Sequence, residues 1–342
     1  MCITVVNILP EEDWRHFVEE HSQSNIFHTP EMFQVFARSK NHQPTLWAVV
    51  DDDSGVLALL LPIQHTLVNR LHRLTTRAVA HGSILYAPGL KGREALALLL
   101  RTYAHEMNGK LLYTELRNLS DLEEVQPILR EHGFIYQDHL NYLIDLRRPP
   151  EAILQSIGHS TRKRVRQAIR RGEVAIEEAT QPGQLSACYD LLCKTYQAAR
   201  VPLADRSLFE AAFDVLHSKA MVRITLARVG PIPVATSIEL LYKNLIYGWY
   251  GGMDRAFSSY HANEFLTWHI LQWGAENGYC LYDFGGAGRP DEEYGVRDFK
   301  AKFGGKLVCF GRNTGIHAPH WLHLSTLGYR VYRQLLTLAP LR

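Results

Sequence analysis

The sequence predicts an α/β (α+β) protein made of two similar modules in tandem, in which mixed sheets are flanked by helices. Three observations lead to this prediction: the length of the chain, a helix–glycine–strand unit that occurs twice, and a hairpin ahead of each copy. At 342 residues the chain exceeds one typical core, and it suits two domains of about 150 to 170 residues each. Its 46% hydrophobic residues are enough to fill both cores.

The repeated unit is a helix that stops at Asn-Gly and leads directly into an apolar strand. The first copy joins a helix over 95–107 to a strand over 110–116, and the second joins 264–276 to 279–284. Asn-Gly supplies the left-handed residue that ends a helix. The hairpins span 45–64, with a turn at 51–55, and 222–242, with a turn at 230–233. Duplication of one module is the favoured interpretation, and chance recurrence of a common α/β unit is the alternative.

The boundary between the modules is expected near Pro149-Pro150, where a strand-like run over 140–146 ends and a helix begins. The predicted domains are residues 1–148 and 149–315, and residues 316–342 form a C-terminal helix. No charged heptad run is long enough for a coiled-coil arm.

Charge and cysteine content narrow the classes of function. The net charge is 37 − 35 = +2, so any anion site must be local rather than a property of the whole surface. Five cysteines without CxxC spacing argue against a disulfide framework or a zinc knuckle. The sequence has neither a secretory leader pattern nor an apolar run of about 20 residues, which predicts a cytoplasmic protein.

Three histidines near the C-terminus have a spacing that could suit a metal ion. These are His317, His320 and His323. Pro319 lies between them and no carboxylate is near in sequence, so no metal site is expected.

The most informative stretch of the chain is rich in glycine, aromatic residues and lysine. Gly285 and Gly286 follow the short strand, and their spacing predicts a tight turn in which the backbone comes close to another group. Phe299, Lys300 and Lys302 follow within the next 16 residues. Such a stretch can serve either stability or chemistry, and its own spacing leaves both open.

The densest positive charge lies between Ser160 and Gly172. These residues predict a helix capped by Ser160 and ended by Gly172, with Val165, Ala168 and Ile169 facing inward and most of six basic side chains outward. Such a face suits phosphate or an RNA backbone. A solvated basic face is the alternative.

Arginine and aromatic residues in two further segments suggest substrate contacts. Residues 195–209 predict a helix, a loop and a second helix, with Arg206 placed to clamp a phosphate or carboxylate or to form an ordinary salt bridge. Trp249 and Tyr250 end a strand between glycines, as expected for the wall of a groove that holds a sugar, base or peptide. Core packing is the alternative for Trp249.

Taken together, these motifs resemble the FemABX family, which builds the amino-acid bridges of peptidoglycan from aminoacyl-tRNA. The resemblance rests on the run from Tyr282 to Gly286, on Phe299-Lys300 and on Phe303-Gly304-Gly305, and it is strongest across residues 150–312. It implies two tandem GNAT-like acyltransferase domains, a missing coiled-coil arm and a C-terminal helix that packs back on domain 1.

The resemblance also implies roles for individual residues. Lys300, beside Phe299, would lie where the acyl ester is attacked, and the nucleophile would be the amine of the substrate itself. Arg206 would hold the substrate diphosphate. The residues expected to bind substrate are Arg38, Arg206, Phe209, Trp249, Tyr250, Tyr282, Asp283, Gly285 and Gly286. The residues expected to bind tRNA phosphates are Arg162, Lys163, Arg166, Arg170 and Lys302.

A departure from the family pattern and a related branch of proteins keep a second function open. A family lysine and tryptophans expected after 27–30 are replaced by Met32, Phe33 and Phe36, with Arg38 and Lys40 as stand-ins. A related GNAT-like branch, associated with exopolysaccharide and cellulose loci, shares the basic helix and the glycine-rich strand end. The run nearest to the CoA-binding pattern Arg/Gln-x-x-Gly-x-Gly/Ala is 312–317, which has the wrong last residue and comes too late in the chain. This mismatch weakens the case for a CoA-dependent enzyme and leaves it open.

The first prediction is therefore an aminoacyltransferase that moves an amino acid from aminoacyl-tRNA, as co-substrate, to the amine of a peptidoglycan precursor. The acceptor would be a UDP-MurNAc-peptide or a lipid-linked precursor, and no cofactor or metal is expected. The protein would act in the cytoplasm, and a lipid-linked acceptor would bring it to the inner face of the membrane. The alternative is an N-acyltransferase that uses acyl-CoA or another acyl thioester on an amino sugar or amine. A non-catalytic binding module is a third reading.

Overall fold

The computed structural model describes residues 3–52 and 55–338 and divides into two compact units. The first unit is Met1–Gln137 with Phe310–Arg342, and the second is Asp138–Cys309. The chain thus crosses between units after residues 137 and 309, whereas the sequence placed boundaries after 148 and 315. Cys2 and two residues of the turn predicted at 51–55, Asp53 and Ser54, lie outside the described residues.

The described residues form strands and helices in an order that alternates between hairpins and helix–strand units. The strands are β1 Ile3–Val6, β2 His42–Pro44, β3 Trp47–Asp51, β4 Gly55–Leu60, β5 Ile63–Thr66, β6 Thr76–His81, β7 Ile84–Tyr86, β8 Tyr113–Arg117, β9 Phe134–Gln137, β10 Leu140–Asp145, β11 Val174–Glu178, β12 Val222–Val229, β13 Ile232–Tyr242, β14 Leu245–Met253, β15 Leu281–Gly286, β16 Lys306–Cys309 and β17 Arg312–Ile316. The helices are α1 Glu11–Glu20, α2 Pro30–Arg38, α3 His72–Thr75, α4 Gly89–Met107, α5 Gln126–Glu131, α6 Pro150–Ser156, α7 His159–Arg171, α8 Leu185–Ala199, α9 Arg206–Leu216, α10 Ala262–Glu276, α11 Gly295–Ala301 and α12 Pro319–Leu338.

The first unit contains two sheets. One has the order β1-β3-β4-β7, and the other has the order β2-β5-β6-β8-β17-β9. Strand β17 comes from the far end of the chain and pairs antiparallel with both β8 and β9. On β17 the buried Asn313 accepts a hydrogen bond from Asn118 at 3.0 Å and donates one to Gln126 at 2.7 Å. The first unit is therefore completed by residues that follow the second.

The second unit is built on one seven-stranded sheet in the order β11-β12-β13-β14-β15-β10-β16. Its predicted hairpin is present as β12 and β13. Strand β10, which the sequence assigned to the first module, pairs antiparallel with β15 and β16. This pairing explains why the crossing point precedes β10 instead of following it.

Both copies of the predicted helix–Asn-Gly–strand unit are observed. The glycine has a positive φ in each copy, +72° at Gly109 and +80° at Gly278. In each copy the strand then pairs in parallel with an earlier strand, β8 with β6 and β15 with β14. Mixed sheets flanked by helices are thus observed as predicted.

The C-terminal helix predicted within residues 316–342 is observed as α12, and Ser325 donates a hydrogen bond to the carbonyl of Leu74 at 2.7 Å within the first unit. Across residues 3–52 and 55–338, no helix has the length and apolar character needed to cross a membrane.

Candidate active site

The parallel pair β14–β15 opens at the glycine-rich strand end. Its register covers only residues 245–247 and 281–283, although both strands continue. On the other side of β14 the ladder with β13 shifts between Ile238 and Glu239, which pair with Tyr250 and Gly248. Trp249 is the extra residue of this β-bulge. Bulges commonly re-aim a strand next to a binding site. Gly285 lies beside this bulge, because a Cβ on it would come within 3.3 Å of the carbonyl oxygen of Gly248.

Lys300 fixes the end of β15. Its Nζ donates hydrogen bonds to the carbonyl oxygens of Phe284 at 2.6 Å, Gly285 at 3.2 Å and Gly286 at 2.7 Å. An ammonium group has three N–H bonds, so these three carbonyls use all of them. The side chain is buried, and burial lowers the pKa of Lys300 to about 8, an effect that the neighbouring Asp283 opposes.

Asp283 stabilises the same turn from within β15. One carboxylate oxygen accepts the N–H of Gly285 at 2.7 Å, and both accept from the Asn141 amide at 3.2 and 3.3 Å. Burial raises the pKa of the Asp283 carboxyl to about 6, against the opposing effects of Gly285, Asn141 and Lys300. Gly285 has φ +70°, a conformation that glycine adopts without strain.

The motif that follows Lys300 connects this strand end to the basic helix. Phe303 is fully buried, and a Cβ on Gly304 would approach the carbonyl oxygen of Ser156 to 2.1 Å. The N–H of Gly158, which precedes α7, donates to the carbonyl of Lys302 at 2.8 Å. The helix therefore begins at His159 with Gly158 as N-cap, and the cap predicted at Ser160 is wrong.

Aromatic side chains from α8, α9 and β14 line one side of the opening. The ring of Phe209 lies 4.8 Å from Tyr250 and 6.0 Å from Trp249, and the ring of Tyr196 lies 5.8 Å from Tyr250. Phe209 is buried, whereas Trp249 and Tyr250 are half-buried. Burial raises the pKa of Tyr196, and the neighbouring Tyr250, Tyr294 and Tyr247 act in the same direction. Tyr247 and Tyr294 therefore lie near this wall.

Arg206 is the first residue of α9, next to the N-cap Asp205. Its Nε donates to Glu210 at 2.8 Å and one terminal nitrogen donates to Ser186 at 3.3 Å. The guanidinium is half-exposed in this pairing. It lies three positions before Phe209 on the same helix. Because Glu210 already accepts from Arg206, an anion could bind this guanidinium only beside Glu210 or in its place.

The basic residues of α7 divide between two faces. Arg164 pairs with Glu264 at 3.1 Å and Arg171 donates to the carbonyl of Ser259 at 3.4 Å, so these two bind the α10 end of the unit. The other face lines an open groove of about 490 Å³. The residues of this groove are His159, Arg162, Lys163, Arg166, Ile169 and Arg170. Val165 and Ala168 are buried as predicted, but Ile169 is 49% exposed and faces the groove.

The remaining predicted site residues lie in different environments. Tyr282 is buried in the core of the second unit, and Phe299 packs against the same core with its ring 5.2 Å from that of Phe303. Lys302 is exposed in the turn after α11. Arg38 is exposed at the end of α2, in the first unit.

Sequence reasoning missed Asn141 and Tyr189, and it included Tyr196 and Tyr247 only as members of longer segments. Asn141 comes from β10, and Tyr247 reaches Gly285, where its hydroxyl would lie 3.2 Å from an added Cβ. Tyr189 and Tyr196 are seven residues apart on α8, which places them on one helix face. The spacing of the two tyrosines was the one sequence signal for these residues. Asn141 gave none, because it is more than 140 residues from its partner Asp283.

A buried acid lies under the bulge. Glu239 is fully buried, its Oε1 accepts a hydrogen bond from Ser237, and its strand neighbours are Arg223 on β12 and Gly248 on β14. Burial raises the pKa of Glu239 to about 8, and Arg223 opposes this shift. The carboxyl is therefore mostly protonated at neutral pH.

One feature bears on which acyl donor could bind, and another bears on metal ions. The segment that leads into α10, residues 254–261, contains no glycine, so it lacks the glycine-rich turn with which a helix N-terminus binds pyrophosphate. Across residues 3–52 and 55–338, no group of three His, Cys, Asp or Glu side chains could hold a metal ion.

Known families and proteins share this sequence pattern and fold. The family described as "Acetyltransferase (GNAT) domain" matches residues 159–300. The UDP-N-acetylmuramoylpentapeptide-lysine N(6)-alanyltransferase of Weissella viridescens is 24% identical over 200 residues, which is 53% of this chain. The matched region spans 58% of that relative.

Solved structures extend the likeness in fold to almost the whole chain. The crystal structure of FemX superposes with a TM-score of 0.71 at 16% identity, covering 92% of this chain and 97% of FemX. A tandem GNAT protein from the clavulanic acid biosynthesis pathway superposes with a TM-score of 0.58 at 11% identity, covering 93% and 99%. The chain therefore has the tandem GNAT-like fold, residues 159–300 match the GNAT acetyltransferase domain family, and the resemblance to the Fem-type aminoacyltransferases, predicted from the glycine-rich motif, is confirmed.

Proposed function

We propose that the protein is an acyltransferase that moves an amino acid from aminoacyl-tRNA to the amine of a peptidoglycan precursor. The observation that carries this proposal is the strand end 284–286, which Lys300 fixes at the opening of β14 and β15 beside an aromatic wall. The similarity to the Weissella viridescens alanyltransferase, which is named for a UDP-MurNAc-pentapeptide lysine, supports this acceptor class.

The reaction needs positioning more than an enzyme nucleophile. The acceptor amine attacks the ester carbonyl, an amide bond forms, the ester C–O bond breaks, and one amine proton passes to the ribose hydroxyl that leaves. Holding the amine and the ester together supplies much of the rate. In this chain the rigid strand end and the aromatic side chains are suited to hold the two reacting groups.

Lys300 acts in this scheme by position and by charge. Because its three N–H bonds are directed at main-chain carbonyls, it holds the backbone that borders the reacting ester. Its positive charge is also fixed within a buried site, where it stabilises a developing oxyanion more than it would in water. Phe299 helps to anchor the helix that carries it.

The groove on α7 is proposed to bind the tRNA. Arg162, Lys163, Arg166 and Arg170 present positive charge along one helix face, which is the pattern that binds a phosphate backbone. The bond from Gly158 to the carbonyl of Lys302 joins the start of this helix to the motif that carries Lys300. An RNA bound at α7 would thus be connected to the strand end by a short, rigid segment.

The acceptor is proposed to lie against Trp249, Tyr250 and Phe209, with its diphosphate at Arg206. Sugar and peptide groups pack well against aromatic side chains. A nucleotide-linked precursor would place the reaction in the cytoplasm, and a lipid-linked one would place it at the inner face of the membrane.

A second candidate is an N-acyltransferase that uses an acyl thioester. The family description, "Acetyltransferase (GNAT) domain", favours it. The absence of glycine from residues 254–261 favours the tRNA donor.

The test is transfer of a radiolabelled amino acid from charged tRNA to UDP-MurNAc-pentapeptide, with acetyl-CoA and an amino sugar as the parallel reaction. We expect labelled product only with charged tRNA, and none after ribonuclease treatment. Product from acetyl-CoA alone would establish the second candidate, and no product from either donor would contradict both.

A further inference from the structure

The connection between β5 and β6 in the first unit exposes large apolar side chains. The two strands pair up to Thr66 and Thr76, and residues 67–75 join them. Within this connection Leu67, Val68 and Leu71 are 72%, 46% and 51% exposed. Hairpin connections are usually built from glycine, proline and small polar residues. Three large apolar side chains within five residues are therefore not required by the turn.

Hydrogen bonds within the connection hold these side chains in place. The N–H of Leu67 donates to the carbonyl of Thr75 at 3.4 Å, and the N–H of Val68 donates to the Thr75 hydroxyl at 3.2 Å. The N–H of Leu71 donates to the carbonyl of Val68 at 2.9 Å. The backbone is thus paired within the loop while the apolar side chains point into water, so the loop presents a preformed apolar tip.

Helix α12 adds a second group of exposed apolar residues beside this tip. It packs against α3, which directly follows residues 67–71, and Ser325 donates to the carbonyl of Leu74. Trp321, Leu324 and Leu327 are between 37% and 52% exposed. Because they are three positions apart, they form a stripe along one side of the helix. Apolar groups on adjoining elements mark a contact surface for another molecule, whereas single exposed ones do not.

The charge of these two elements is positive. Arg70 and Arg73 lie within and just after the apolar tip, and both are exposed. The sequence has no Asp or Glu from residue 54 to 93 or from residue 299 to 342, the two stretches that contain the tip and α12. Neither element therefore supplies a carboxylate of its own. Apolar side chains accompanied by arginine are complementary to a surface that is anionic outside and apolar beneath.

We propose that this tip–α12 surface binds the face of an anionic lipid bilayer. It is formed by Leu67, Val68, Arg70, Leu71, Arg73, Trp321, Leu324 and Leu327. The apolar side chains would enter the boundary between headgroups and acyl chains, and the guanidinium groups would contact lipid phosphates. Tryptophan is enriched at that boundary in membrane proteins. An RNA would use the arginines but leave the leucines in water.

The test is flotation of the full chain with two kinds of vesicle, in the absence of tRNA and acceptor. One kind is phosphatidylcholine alone, and the other is an equimolar mixture of phosphatidylcholine and phosphatidylglycerol. We expect the partition coefficient to be about 10-fold higher or more for the mixed vesicles, because each arginine near an anionic surface strengthens binding several-fold. Raising the salt concentration should reduce this difference.

Two double variants divide the apolar part of the surface from the charged part. Leu67→Gln with Leu71→Gln should lower partition to the mixed vesicles about 10-fold or more, since two leucines lose their burial in the bilayer. Arg70→Gln with Arg73→Gln should lower it about 10-fold as well. Only the arginine variant should leave partition to phosphatidylcholine alone unchanged.

Matched controls come from the same unit. Ile135→Gln removes an apolar side chain that is 54% exposed on β9, the edge strand farthest from β5 in the sheet. Arg101→Gln with Arg130→Gln removes two exposed arginines from α4 and α5. Both controls should bind the mixed vesicles as the wild type does. Thermal unfolding of each variant verifies that the first unit is folded.

Membrane binding can be measured separately from the transfer reaction. Leu67→Gln with Leu71→Gln should leave transfer to UDP-MurNAc-pentapeptide unchanged, because that acceptor is not bound to lipid. Absence of vesicle binding with normal transfer would contradict only this inference, and vesicle binding without transfer would contradict only the proposed function. If both hold, a lipid-linked acceptor is favoured, a consequence that does rest on the proposed function.

Three results would overturn the inference. The chain could float with neither kind of vesicle, or the controls could reduce binding as much as the tip variants do. Loss of binding in Lys163→Glu with Arg170→Glu, but not in the tip variants, would assign the lipid contact to α7. A dimer in light scattering that Leu67→Gln with Leu71→Gln dissociates, without vesicle binding, would assign the surface to a second copy of the chain.

Discussion

Lys300 occupies a position whose contacts are with the main chain. Its motif implies contact with the acyl ester, but its three N–H bonds are directed at the carbonyls of residues 284–286. Such a residue can govern a reaction by holding the backbone that borders it. Holding the backbone and acting directly on the ester can be distinguished by measurement. Only the first role requires the strand end to loosen when the lysine is removed.

Lys300→Met is expected to lower the free energy of unfolding by about 2 kcal/mol, because three buried carbonyls lose their donor. Amide hydrogen exchange at residues 284–288, measured by mass spectrometry, should become faster, and kcat should fall more than the KM of the acceptor rises. Lys302→Met is the matched control, since Lys302 is exposed two residues later. If activity is lost while exchange at 284–288 is unchanged, Lys300 acts directly on the substrate.

Glu239→Gln is expected to remove a pH dependence of stability. The folded-state pKa of Glu239 is raised from 4.5 to about 8, so the folded protein binds more protons than the unfolded chain between these values. The contribution of Glu239 to stability is therefore complete below pH 4.5 and is lost as the pH rises through 8. The Tm of the variant should exceed that of wild type by about 10 °C more at pH 9 than at pH 5, because a pKa shift of this size corresponds to several kcal/mol.

The control for this pair of pH values is Glu276→Gln, which changes an exposed carboxylate at the end of α10. It should shift the Tm equally at pH 5 and pH 9. An equal shift for Glu239→Gln would mean that this carboxyl is ionised in the folded protein.

Single residues of the site were predictable only where the sequence itself carried a signal. Gly285, Gly286 and Lys300 lie within 16 positions of each other and were recognised from the motif that resembles the FemABX family. Asn141 reaches the same turn from β10, and no local pattern marks it. Tyr247 reaches the turn from β14 and belongs to the aromatic run 247–252, which gave no sign of this contact. The burial that shifts the pKa of Asp283 and of Glu239 depends on tertiary packing, which the local sequence does not specify.

At the scale of elements, α7 shows what helical periodicity can and cannot resolve. The pattern predicted a helix with a basic outer face, and α7 has one. It placed Ile169 inward, but Ile169 lies in the groove, because Arg164 and Arg171 are held toward α10 and orient the helix. Partners in another element therefore decide which of two adjacent faces is buried.

The double variant Lys163→Glu, Arg170→Glu is expected to weaken tRNA binding at least 10-fold and to reduce the salt dependence of binding. Each lost phosphate contact lowers the slope of log K against log salt by about 0.7 to 1. Filter binding between 50 and 200 mM salt measures both quantities. Lys306→Glu, an exposed charge on β16, is the control, and an equal loss in that variant would contradict the assignment of α7.

Gly304→Ala is expected to destabilise the second unit more than a matched glycine change does. Gly304 has φ +74° and an added Cβ would meet the Ser156 carbonyl oxygen at 2.1 Å, whereas Gly278 has φ +80° and open space around it. Both substitutions carry the cost of a left-handed backbone, about 1 kcal/mol. The excess for Gly304→Ala, measured by denaturant unfolding, is expected to be about 2 kcal/mol.

An equal loss in the two variants would show that the approach of Gly304 to Ser156 is relieved by a small movement. In that case the connection between the motif and α7 is looser than the distances indicate.

For the whole molecule, the sequence predicted the repeat and the fold class but not the path of the chain between units. Strands β10 and β17 each join a sheet on the far side of the predicted boundary. Local signals mark where a strand ends, as Pro149-Pro150 does after β10, but strand pairing is decided by register and packing between distant segments. The tandem GNAT-like fold was nevertheless predicted, because the motif resemblance and the internal repeat pointed to the same arrangement.

The two units are expected to differ in autonomy. A fragment of residues 138–309 contains every strand of its sheet, and it should unfold cooperatively in circular dichroism on its own. A fragment of residues 1–137 lacks β17, which lies between β8 and β9, and it should show no cooperative transition. A cooperative transition in the 1–137 fragment would mean that β8 and β9 can close without the strand between them.

The late position of β17 sets the order in which the protein can form during translation. About 180 residues separate Gln137 from the end of β17, and a ribosome adds roughly 5 to 20 residues per second. The N-terminal unit must therefore wait roughly 10 to 40 s for β17, because the whole of the second unit is synthesised in between. During that interval the edges of β8 and β9 are unpaired, which makes the nascent N-terminal half the part of this protein with the greatest need of a chaperone.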